Sequence, residues 1–239
     1  MNMGYTANGQ PLADHEHPLV AATARDLVNG KDSILDKLEC LFLFVRDRIR
    51  FGFPTRWSGW DRVTASRVIE SGFGYCNTKA SLMVALCRAC GISARVHYGS
   101  INADIMRGIF PSFAFPFLPN SGPHSWTEVE VEGSWKPIDS YINDEALFEA
   151  SRARLEESRR SMGYSLAPID GQCSCEFNFG EKGFVHMGAV VEDHGVWDDA
   201  SQFFATEQYR TFNPFQQFLY PVMASLSNRN IRRLRAQHR

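Results

Sequence analysis

The chain has 239 residues, 44% hydrophobic and 22% charged, a globular composition long enough to bury one sizeable core. Its formal net charge of −2 argues against a general affinity for nucleic acid or for anionic membrane surfaces. Residues 1–10 show no basic start followed by an apolar stretch, and no run of about 18 apolar residues occurs, so the expectation is no export, no membrane and a cytoplasmic location.

From Asp14 to Leu27 runs a short amphipathic segment, followed by a clearer helix over Lys31–Arg50. There Asp32 or Ser33 can cap, and Ile34, Leu38, Leu41, Phe42, Val45 and Ile49 recur at helical spacing. Gly52 and Pro54 break it, opening an aromatic loop with Trp57 and Trp60 that reads as a wall of a substrate pocket or as a lid on the core. Gly72 and Gly74 then release the backbone just before Cys76, and a proline-free run of good helix formers continues to Cys90, where Gly91 supplies the stop. Cys76 therefore opens a helix, where unpaired N–H groups and the helix dipole favour an anion, and a reactive thiolate is one reading. The other is structural: Cys76, Ala80, Met83, Cys87 and Cys90 share one helical face, and for Cys87 and Cys90 a core role is expected.

Ser93–Ile101 reads as a strand in which His97 is a sheet histidine satisfied by a neighbour. Between Gly108 and Pro119 three prolines exclude a regular helix and a central strand, while four phenylalanines call for burial. This segment, with Phe113 and Phe115, is either an apolar rim admitting an acyl or aromatic substrate or a loop packed on the core. His124 is expected at the start of a strand carrying Trp126, Val129 and Val131; Gly133-Ser134 turns the chain into a partner strand ending on Asp139. That hairpin makes His124 and Asp139 plausible cross-strand neighbours, the arrangement an imidazole and its orienting carboxylate need.

Asp144–Met162 reads as a charged helix, Cys173–Phe179 and Phe184–Val191 as strands, and Glu192–Gly195 as a turn into Val196-Trp197, with His186 and His194 structural or exposed. Asp198–Arg210 is expected to be helical, and Phe215–Leu226 an aromatic-rich helix or docking segment, followed by a basic, solvated tail. Six unevenly spaced cysteines form no disulfide framework, and the pairs Cys87/Cys90 and Cys173/Cys175 lack a matching histidine pattern, so no metal and no cofactor is expected.

Four segments resemble the transglutaminase-like superfamily: Gly74-Tyr-Cys76-Asn-Thr-Lys-Ala80, Ala89-Cys-Gly-Ile-Ser-Ala-Arg95, His124-Ser-Trp-Thr-Glu-Val129 and Gly133-Ser-Trp-Lys-Pro-Ile-Asp139. The resemblance spans about Leu38 to Tyr141 and implies an α+β, papain-like core, its nucleophile helix packed on an antiparallel sheet, with extra C-terminal helices and strands. It maps a Cys-His-Asp triad onto Cys76, His124 and Asp139, separated by 48 and 15 residues. One domain is expected over 1–239: a core at about 31–142, an elaboration at about 143–226 and the basic tail at 227–239. The implied chemistry is cysteine-dependent acyl transfer through a thioester, by a hydrolase or a transferase, on a small-molecule or peptide or protein carbonyl. Trp57, Trp60, Tyr75, Phe113, Phe115 and Trp126 are the expected substrate-binding aromatics, and the N–H of Cys76 with an indole of Trp57 or Trp60 the expected oxyanion donors. A lyase or isomerase that uses the same triad to cleave a carbon–carbon bond or move a proton is one alternative, and a catalytically silent binding protein that keeps the triad by inheritance is another.

Overall fold

A computed structural model describes residues 11–55, 63–179, 183–209 and 213–237. The first layer is helical: α1 (Pro18–Leu27) and α2 (Ile34–Leu43). Ser33 caps α2, its Oγ accepting the Asp36 N–H at 3.0 Å. A five-residue π turn, Phe44–Arg48, takes up what the sequence reads as the rest of that helix. Two short parallel strands, β1 (Arg50–Phe51) and β2 (Phe73–Gly74), flank α3 (Ala65–Ser71). They deliver the chain into α4 (Cys76–Ala89), the predicted nucleophile helix.

Next come β3 (Ala94–Asn102), β4 (Ser121–Val131) and β5 (Ser134–Ile138), then α5 (Glu145–Ser158) and β6 (Val190–Trp197). The strands form an antiparallel sheet in the order β5-β4-β3-β6, and α4 lies against β4 and β3. Alternation decides the register: Ser125, Thr127, Val129 and Val131 are all buried, and Thr127 Oγ1 donates to Ala80 O at 3.3 Å on α4. Helix on antiparallel sheet is the expected α+β architecture.

The chain beyond Asp139 departs most from expectation. Arg159 adopts φ +51° and stops α5 after Ser158, short of the predicted Met162. Residues 173–179 form no strand, and 184–189 form none until β6 begins. Glu192–Gly195 is no hairpin turn: β6 runs through it, pairing Gly195 with Tyr98 and Asp193 with Gly99, so His194 is the extra residue of a bulge. Gly195, at φ +77°, serves that bulge rather than a reversal. A short α6 (Ala200–Phe204) is followed by α7 (Pro214–Gln237), which absorbs most of the supposed tail. Its arginines are not all solvated: Arg235 binds the Asp144 carboxylate through Nε at 2.9 Å and through Nη2, and donates to Phe51 O at 2.8 Å.

Candidate active site

Cys76 is placed by the turn that precedes it. A Cβ on Gly74 would lie 2.7 Å from Thr78 Oγ1 and 3.1 Å from Lys79 Cγ, so only glycine lets the chain enter α4 this closely. Thr78 Oγ1 accepts the Tyr75 N–H at 3.1 Å, and the fully buried Lys79 donates through Nζ to Ile142 O at 2.9 Å and Arg46 O at 3.3 Å. The first turn of α4 is thus tied to the chain on both sides. Burial drives the Lys79 ammonium down to about 7.

The expectation that a helix start makes Cys76 acidic is corrected by the structure. The backbone N–H groups of Asn77, Ser125 and Cys76 itself favour the thiolate, but Cys76 is buried, and burial pushes the thiol up to about 12. Its Sγ–H points to Asn77 Oδ1 at 3.6 Å. The Ser125 contact sets the sulfur beside β4 at the residue that follows His124.

His124 lies three residues inside β4, opposite Gly99, because the strand begins at Ser121. It is wholly buried and neither ring nitrogen has a partner among the described residues. Burial holds the ring well below the ordinary histidine value, with His186 pushing the same way. Asp139 is the residue after β5, and its carboxylate accepts the N–H groups of Val185 at 3.0 Å and His186 at 3.1 Å. Burial nevertheless pushes it up to about 7. The fold thus gathers all three predicted residues at one end of the sheet, with no hydrogen bond from His124 to either of the others.

Cys76 opens on a cavity of about 130 Å³ walled by Phe51, Phe53, Ile101, Ile105, Met106 and Phe110, with Tyr75, Leu118 and His186 also lining it. Of the expected aromatics, Tyr75 is on the wall. Trp126 does not line it; its ring lies 4.2 Å from that of His97 and 5.9 Å from that of His124. The 3₁₀ turn Ser112–Phe117 leaves Phe113 60% exposed, and Phe115 lies 4.5 Å under the Arg107 guanidinium. Neither lines the cavity; Phe110 and Leu118 of the same loop do. Trp57 and Trp60 lie outside the described residues.

His186 is the site residue that sequence reasoning missed, since nothing about an isolated histidine in an irregular stretch separates exposed from buried. Its Nε2 lies 2.9 Å from Ser165 Oγ and 3.0 Å from Ser165 O, and its ring centroid is 5.1 Å from that of His124. Among the described residues no group of three or more His, Cys, Asp or Glu side chains is arranged to hold a metal ion.

A cysteine at the start of a buried helix, laid on an antiparallel sheet that carries a histidine and an acid, defines the papain-like class of α+β folds. The sequence profile of the transglutaminase-like superfamily matches residues 21–140, half of the chain, and the chain belongs to that superfamily. Membership supports a cysteine-dependent enzyme in general terms. Among solved structures, a candidate cysteine protease from Cytophaga hutchinsonii is similar at 15% identity and TM-score 0.46, over 80% of this chain and 45% of that one. A candidate protease from Parabacteroides distasonis is similar at 14% identity and TM-score 0.36, over 54% of this chain and 25% of that one. The chain spans less than half the length of either. No curated protein matches it.

Proposed function

We propose that the chain is a cysteine-dependent acyl-transfer enzyme in which Cys76 is the nucleophile, His124 its base and Asp139 the carboxylate that fixes the imidazole. The observation that carries the reading is the position of Cys76: first residue of α4, on the wall of an apolar cavity, with three backbone N–H groups favouring its anion. Cys76 attacks a carbonyl, His124 takes the thiol proton and returns it to the leaving group, and the acyl group passes through a thioester to water or to an amine. Asp139 uses two of its roughly four lone-pair sites on Val185 and His186, which leaves room for an imidazole N–H. The apolar walls favour an acyl group of small, apolar character.

The test is the pH dependence of Cys76 alkylation by iodoacetamide, mapped by mass spectrometry. Burial alone keeps the thiol protonated to about 12, so without a base the rate climbs with pH across the whole alkaline range. In the native protein the neutral His124 is expected to take the thiol proton as Cys76 attacks, so alkylation near neutral pH should be faster than in His124→Ala. Identical climbing profiles in both proteins would remove His124 from the mechanism, and reaction only after denaturation would leave a binding protein.

A further inference from the structure

His186, on the wall of the cavity beside Cys76, carries a ring nitrogen that the acyl-transfer chemistry does not use. Asn143 Nδ2 donates to Ser165 O at 2.7 Å, and Ser165 Oγ gives its single proton to Asn143 Oδ1 at 3.0 Å. Toward His186 both Ser165 oxygens therefore present lone pairs, and the ring must carry its proton on Nε2. Nδ1 is left as a bare acceptor, buried and without a partner among the described residues. Burial holds this imidazole down to about 4, so it stays neutral and in that single tautomer at neutral pH. The backbone of His186 is fixed in turn by the Asp139 carboxylate. Folded proteins rarely leave a buried acceptor unpaired, and the remaining wall, from Phe51 and Phe53 to Ile105 and Met106, is apolar.

The geometry points to His186 as a specificity-determining residue whose Nδ1 accepts a hydrogen bond from the substrate, selecting acyl groups that are apolar and carry an N–H donor next to the reacting carbon. The inference rests on Cys76 being the nucleophile and goes beyond it by naming what the cavity admits. A site built around a buried acceptor discriminates strongly against an analogue that lacks the donor, because acceptor and ligand atom are then both left unpaired.

The experiment compares two nearly isosteric probes, N-ethyl iodoacetamide and ethyl iodoacetate, which differ by N–H against O. In each, the Cys76 sulfur displaces iodide, the C–S bond forming as the C–I bond breaks. Labelling of Cys76 is followed by mass spectrometry, and each rate is divided by that of the same probe with free glutathione. The native protein is expected to favour the amide roughly tenfold or more. His186→Phe should bring the ratio close to one, and His186→Asn, whose side-chain oxygen falls near the Nδ1 position, should keep it. A native ratio near one overturns the proposal whether or not the variants fold. So does a His186→Phe protein that reacts more slowly with both probes at an unchanged ratio, since His186 would then act through His124. Failure of both probes to label native Cys76, with labelling restored in urea, would sink the acyl-transfer reading itself.

Discussion

Cys76 and Asp139 are opposed by the same force. Each receives backbone N–H groups that favour its anion, and each is buried deeply enough for desolvation to win, taking the thiol to about 12 and the carboxyl to about 7. For Asp139 the sign follows directly. The folded chain keeps the proton to a higher pH than the unfolded chain, whose carboxyl titrates near 4, so stability falls as pH rises from about 4 to about 7. Urea midpoints for the native protein should decline across that window, and for Asp139→Asn they should not. Asp139→Ala leaves two buried N–H groups without acceptors and should lower stability at acid pH by roughly 1–3 kcal/mol for each. Equal midpoints for native and Asp139→Ala would mean that those groups find other partners. Whereas His124 lies three residues inside β4 rather than at its start, the places of Cys76 and Asp139 were legible because each sits on a local signal, a glycine turn before a helix and the end of a hairpin strand. The direction of the Cys76 shift was not, because sequence shows the helix start and hides the burial. His186 was illegible for a related reason: its environment is made by Ser165 and Asn143 through loops with no period.

At the scale of elements, the outer face of the sheet is pinned by charge. His97 on β3 donates through Nδ1 to Glu128 Oε1 on β4 and through Nε2 to Asp193 Oδ1 on β6, both at 2.7 Å. Arg95 reaches the same Glu128 at 2.7 Å. Burial alone would lower the His97 value, but the hydrogen bonds and charges of Glu128 and Asp193 outweigh it and raise it. The contribution is therefore complete below about 6.5 and lost as pH rises through the folded value. Because Asp193 is largely exposed, its size should be under about 1 kcal/mol. His97→Gln should lower the urea midpoint more at pH 5.5 than at pH 8.5; an equal drop would show that stacking on Trp126 is what matters. The sequence reading of His97 as a satisfied sheet histidine agrees with this arrangement. The supposed hairpin at Glu192–Gly195 failed because a positive-φ glycine marks a bulge as readily as a turn, and only the partner strand decides.

At the scale of the whole molecule, α7 acts on the cavity from the far end of the chain. The Asn228 side chain accepts the Phe53 N–H at 2.9 Å and donates to Phe53 O at 2.7 Å, pairing with one wall residue as a strand would. Asn230 donates to Ile109 O at 2.9 Å, and Arg235 holds Phe51 O and Asp144. Asn228→Ala should cost about 1–3 kcal/mol and speed iodoacetamide labelling of Cys76 at fixed pH, as the Phe53 wall loosens. An unchanged labelling rate would mean that packing alone holds the wall. The superfamily match ends at residue 140, yet Val185, His186, Ser165 and all of α7 lie beyond it. On the proposed function the labour is divided unevenly: the part before residue 140 carries the proposed reacting groups and most of the cavity wall, and the last hundred residues add His186 to that wall and brace Phe51 and Phe53 from α7. Two chains with the same three residues and different side chains at the position of His186 would then admit different molecules, and exchanging their last hundred residues should carry that single preference across while the rest of the cavity wall stays in place.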